Sequence, residues 1–208
     1  MALIPTTPRW RVVSAAAAAV VLLLVGYAAG WLVSRPDRPG ESSAEAGFAR
    51  DMSEHHAQAV EMGMIAYRNA SLAGIRTLGG DIALTQQSQI GMMQTWLKSW
   101  GLGPNSSEPP MAWMPDGTSG VDGNRMPGMA TREEIAKLRS ATGKEADILF
   151  CQYMLRHHLG GIHMVNALLG VSSNGEVREL AEIMRRNQSG EIQVLETQLT
   201  QLGARPLK

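Results

Sequence analysis

Phe48-x3-Met52-x2-His55-His56 recurs in this chain as Phe150-x3-Met154-x2-His157-His158, an offset of 102 residues. Without a gap, the same offset pairs Met62 with Met164, Leu78 with Leu180, Gln86 with Gln188, Ile90 with Ile192, Leu97 with Leu199 and Gly101 with Gly203. A register kept over more than fifty residues marks a duplication, so whatever one copy folds into the other must fold into as well.

Each copy reads as two helices. Phe48, Met52, His55, Ala59, Met62 and Ala66 recur at steps of three and four, the stripe of a helix over about 44–69. A break at 69–74 precedes a second helix over about 75–100, striped by Leu78, Ile82, Gln89, Met93 and Leu97 and stopped by Gly101. The second copy predicts helices near 145–170 and 175–202, the last closed by Gly203. Short breaks make antiparallel neighbours, so two hairpins form a four-helix bundle. The joint, 101–143, is rich in glycine and proline and too long for a tight turn. Thr131 and Glu134 make a capping box for one short helix that Gly143 should end. A connection that long can traverse the bundle. The expected fold is therefore all-α and ferritin-like, with the first and third bundle helices antiparallel.

Residues 12–34 carry no charge over 23 positions, enough helix to cross about 30 Å of hydrocarbon. They predict a single transmembrane anchor, with 1–11 cytoplasmic and 35–43 a linker. Arg9 and Arg11 favour an inside N-terminus, which places the domain 44–203 on the extracytoplasmic side. Trp31 fits an interfacial anchor. The competing reading is a signal peptide cut near Gly26-Tyr27-Ala28, and both readings export the domain. Lys and Arg balance Asp and Glu at 19 each, so nothing provides the basic footprint of a nucleic-acid binder. The lone Cys151 excludes an intrachain disulfide framework or a multi-cysteine zinc site.

All five histidines, His55, His56, His157, His158 and His163, lie in or beside the repeated motif. Met52 stands three residues before His55 and four before His56, so its sulfur neighbours both imidazoles one turn away. Met154 repeats this with His157 and His158. Both motifs sit at mid-height of their helices and meet in the bundle interior, where such sites are built. Met62 and Met164 flank the strip about 10 Å along the axis, as ligands or as core. His163 is a candidate accessory ligand. Cys151 is a candidate thiolate or a small buried hydrophobe. Gln86, Gln188 and Glu191 are expected to hydrogen-bond the imidazoles.

Thioether with imidazole selects copper, Cu(I) first, with silver and zinc as other possible occupants. The carboxylates of a di-iron bundle are missing: Asp51, Glu54 and Glu61 have Tyr153, Arg156 and His163 as their counterparts. Met111-x2-Met114 and Met126-x2-Met129 add a second thioether set in the crossover, either wrapping a soft ion or lidding the bundle as adaptable apolar side chains.

The doubled motif, with Gln86 and Gln188 after it and Met126-Pro127-Gly128-Met129 between the copies, resembles the domain-of-unknown-function 305 family over residues 44–203. That resemblance implies a ferritin-like bundle at an extracytoplasmic address and, through characterised relatives, periplasmic copper binding and tolerance. It points to Met52, His55, His56 and Met62, and to Met154, His157, His158 and Met164. The reading is an extracytoplasmic copper binder that buffers, sequesters or transfers the ion, with a copper-handling or membrane-protein partner. The alternatives are a redox metalloenzyme on the same frame and a metal-free module that docks a membrane protein.

Overall fold

The duplication emerges as two helical hairpins laid against each other head to tail. The structure, a computed structural model, describes residues 9–33, 38–115 and 125–207, and within the first helix the side chains of 12–30. The segments 1–8 and 34–37 and the side chains of Arg9, Arg11 and Trp31, which carried the orientation argument, lie outside the described residues.

The first unit, Met1–Arg38, contributes α1 (Arg9–Val33). Its 19-residue stretch Val12–Gly30 is long and apolar enough to cross a membrane, with none of it buried in protein. The second unit, Pro39–Lys208, holds α2 (Ala44–Asn69), α3 (Ala73–Trp100), a short α4 (Arg132–Ser140), α5 (Gly143–Val171) and α6 (Gly175–Leu202). Among the described residues its regular elements are all helices, four of them the pair of hairpins that the repeat requires.

Local chemistry sets the helix ends. Ser43 caps α2 by accepting from the Ala46 amide, and Asn174 caps α6 by accepting from Val177. Thr131 and Glu134 form the full reciprocal capping box on α4. Gly101 and Gly203 both stop their helices in the left-handed region, φ 78° and 72°. There the amides of Leu102 and Ala204 reach back to Leu97 and Leu199, the 6→1 bond of a Schellman cap. One expected boundary is corrected. Gly143 (φ 62°) does not end the short helix, which stops at Ser140, but opens α5. Between them Ala141 and Thr142 stay extended, which lets Gly143 turn the chain into the bundle.

Two acids at equivalent positions, Glu45 and Asp147, hold the hairpins together. The buried Asp147 carboxylate at the start of α5 accepts from the Ser71 and Leu72 amides (2.9 and 3.3 Å) and from the Ser71 hydroxyl in the α2–α3 turn. Reciprocally, Glu45 at the start of α2 accepts from the Ser172 hydroxyl in the α5–α6 turn (2.5 Å). Each turn is also clamped within its own copy, by Arg76 on the carbonyls of Ala70 and Ser71 and by Arg178 on those of Leu169 and Ser172. Because the start of each first helix meets the far end of the other, α2 and α5 run antiparallel.

That arrangement sorts the core. One apolar cluster contains Met62 and Met154 with Phe150, Ile65 and Leu195. The other contains Met52 and Met164 with Phe48, Met93 and Met184. Between the halves lies a buried polar layer of His55, His56, His157, His158, Gln86, Gln89 and Gln188.

Candidate metal centre

Four imidazoles meet where α2 and α5 cross at mid-height. His55, His56, His157 and His158 are at most 1% exposed. The rings of His55 and His157 lie 3.8 Å apart, tilted by 31°, and His157 and His158 are 6.3 Å apart. Burial, with like-charge repulsion from neighbouring imidazoles, pushes His55 down to about 4, His56 down to about 3 and His157 well below the ordinary histidine range. All three are therefore neutral near pH 7, the form that donates a lone pair to a metal.

Each of three rings is held by one nitrogen. His55 Nε2 donates to the Pro127 carbonyl (3.0 Å), His56 Nε2 to Gln89 Oε1 (2.8 Å) and His158 Nε2 to Glu191 Oε2 (2.6 Å). The Nδ1 atoms of His55, His56 and His158, and both nitrogens of His157, are buried without a hydrogen-bond partner. Native cores seldom leave so many polar atoms unpaired, and Met52 and Met154 stand one helical turn before the two doublets. A lone pair of this kind is satisfied by a metal ion or by a hydrogen-bond donor. The donor set thus fits a soft cation.

The His55 and His157 rings lie against each other at a tilt. Among the described residues no three His, Cys, Asp or Glu side chains converge on one position.

Of the expected site residues, Met52, Met62, Met154 and Met164 are fully buried, Met52 in one cluster with Met164 and Met62 in the other with Met154. In the crossover, Met111, Met114 and Met126 are buried in the Met52 cluster, and Met129 packs partly buried against it. The Met111 amide and the Trp113 indole both donate to Asp51 (2.8 and 2.7 Å), which fixes that turn on α2. Burial raises the Asp51 carboxyl despite those bonds. His163 is exposed on α5. Cys151 is fully buried, and burial raises its thiol to about 12, so it stays an un-ionised apolar side chain. The expected partners of the imidazoles need correction. Glu191 holds His158, but Gln89, not Gln86, holds His56, and the Gln188 amide packs on Gly161. Gln89 and Glu191 are themselves 102 residues apart, a match hidden by the change of residue type.

Sequence reading also missed the strap over the rings. Residues 127–130 lie across α2 and α5. Gln58 brackets Ala130, its amide nitrogen donating to the carbonyl (3.0 Å) and its oxygen accepting from the Ala130 N–H (2.7 Å). Gly128, at φ 77°, fits where a Cβ would strike the Arg156 carbonyl, and Gly160 leaves room for the Pro127 carbonyl. Beside the strap a cleft of ≈ 350 Å³ opens to the surface, lined by Met126, Met129, Glu134 and Arg156. Gly160→Ala drives a Cβ into backbone with no side chain to yield. The strap should lift, at a cost of about 2 kcal/mol, with the Ala130 amide losing hydrogen-exchange protection. Unchanged protection there would contradict this seating.

The same fold recurs in solved structures. A DUF305 protein from Streptomyces coelicolor is 41% identical, with 81% of this chain and 99% of that one aligned at a TM-score of 0.74. A DUF305 fragment from Deinococcus radiodurans is 31% identical over 79% of this chain and 99% of that one, TM-score 0.64. CopM in its Cu(II)-bound form is 25% identical over 76% of this chain and 96% of that one, TM-score 0.59, and CopM was also solved with Cu(I) and silver. No curated protein matches the chain. The profile of the domain of unknown function DUF305 matches residues 45–199, taking in both hairpins, the strap between them and all four buried imidazoles, and the chain belongs to the DUF305 family.

Proposed function

We propose that this protein binds copper, as Cu(I), through the buried imidazoles and the thioethers beside them, and that it buffers, sequesters or hands on the ion outside the membrane to which α1 tethers it. The observation that carries this reading is the set of buried imidazole nitrogens without a hydrogen-bond partner, in a core that also buries Met52, Met62, Met154 and Met164. Burial there disfavours a proton and leaves the lone pairs for a soft metal. The solved copper- and silver-bound forms of CopM, which share this fold, support the reading.

Titrating the full chain in detergent with Cu(I), against a chromophoric Cu(I) chelator, tests the reading. The chain should compete for the ion, and at free copper one hundred times Kd its stability should rise by about 2.7 kcal/mol. Changing His55, His56, His157 and His158 together to alanine should remove both effects while far-UV helicity persists. Equal copper retention by that variant would end the proposal.

A further inference from the structure

The two copies hold the second imidazole of each doublet from the same position, with different charge. In both, the second histidine of the doublet reaches a residue 33 positions on, His56 to Gln89 and His158 to Glu191. In both, Nε2 is the engaged nitrogen and Nδ1 is buried without a partner. A carbonyl or carboxylate oxygen in these contacts accepts, so each ring donates its Nε2–H. Gln89 is buried, and the Glu191 side chain is 20% exposed against 0% for His158. The amide brings no net charge to its ring, whereas the carboxylate brings a full negative charge at 2.6 Å.

Resting on the copper reading above, we propose that the cluster holds its ion toward the second copy, with His158 the dominant imidazole and Glu191 its positioning residue. A carboxylate behind an imidazole makes the opposite nitrogen a stronger donor and offsets the charge of the ion it binds. Gln89 gives His56 the same orientation without that gain. The carboxylate also favours the more highly charged Cu(II) over Cu(I), so Glu191 sets the potential of the bound couple as well as its position.

Full-length protein in detergent, with Cu(I) as the probe, tests this by chelator competition. Glu191→Gln installs the residue type that the first copy already uses in this geometry, so helicity and melting should be unchanged. It should weaken Cu(I) binding about tenfold and raise the Cu(II)/Cu(I) potential, a readout that packing alone would not move. Gln89→Glu should strengthen binding and lower the potential. His158→Ala should cost about tenfold more affinity than His56→Ala, and Glu191→Gln should erase that difference. Nitrogen NMR of the copper-free chain should find the Nε2–H tautomer at both rings, before and after Glu191→Gln. A Glu191→Gln protein within twofold of the unaltered one in affinity and unshifted in potential overturns the proposal, as do equal losses at His56 and His158. Failure of the unaltered chain to bind Cu(I) at all removes the copper reading itself and this inference with it, a different result from binding that ignores Glu191.

Discussion

Acidifying the copper-free protein from pH 7 to pH 4 should unfold its four-helix bundle, whereas the copper-loaded protein should hold to lower pH. Burial depresses His55 to about 4 and His56 to about 3, and it depresses His157 in the same direction. An unfolded histidine takes up its proton near 6.5. Between that pH and the folded values the unfolded chain binds more protons, so stability falls as pH falls. The stabilising effect is fully present above about 6.5 and is lost progressively below it. At about 1.36 kcal/mol per unit, His55 and His56 each remove roughly 3 kcal/mol by pH 4, and His157 adds to this. Against a total stability of about 5–15 kcal/mol, that loss is decisive.

Two carboxylates modify the profile without reversing it. Asp51, raised by burial, takes up its proton more readily in the folded state and so opposes the trend at the acid end. Glu134 is held below its usual range by its paired bonds to Arg156, against a burial penalty, and its contribution is lost on acidification as the histidine effect is. Far-UV circular dichroism against pH, with and without Cu(I), measures the effect. The variant lacking all four buried histidines should be nearly flat from pH 7 to about 4.5. An unaltered copper-free chain as flat as that variant would show that these imidazoles are not enclosed as described.

The parts of this site that were legible in the sequence are those the duplication wrote twice. Four helices, their glycine caps and the meeting of His55 with His157 all follow from one register and one periodicity. The antiparallel placement of α2 and α5 came from the length of the crossover, and it explains why Met52 shares a cluster with Met164 and Met62 with Met154. Legibility ends where the copies diverge. Gln86 and Gln89 are one helical step apart on the same face of α3, and only the packing of α3 on α2 decides which reaches His56. The strap has no counterpart to compare with, since it belongs to the single crossover. Its seat on Gly128 and Gly160 depends on backbone approach, which leaves no periodic signal. Glu45 and Asp147 were readable as a pair of acids at the repeat offset, but an acid near a helix start also suits the helix dipole. Nothing in a single chain of letters says that each one reaches across to the other copy.

That reciprocity makes Asp147→Ala the most damaging single change expected outside the imidazole cluster. The Asp147 side chain is fully buried, and it is the acceptor for two backbone amides and a hydroxyl in the α2–α3 turn. Leu72, at the N-cap of α3, makes no side-chain cap bond of its own, so the cap comes from the other hairpin. Hydrogen bonds to a charged group contribute about 1.5–3 kcal/mol each, and orphaning buried donors adds to the loss. Because the three bonds share one carboxylate and the turn can relax toward water, about 4 kcal/mol is the expected net cost. Glu45→Ala should cost only about 1 kcal/mol. Glu45 is partly exposed and accepts one bond, and α6 keeps its own cap from Asn174. Asp147→Asn retains one acceptor oxygen for the two amides and should recover more than half of the alanine loss. Urea unfolding of the full chain, followed by helicity, ranks the three variants. Equal costs for Asp147→Ala and Glu45→Ala would mean that the hairpins are joined by apolar packing alone and that the exchanged acids are incidental to it.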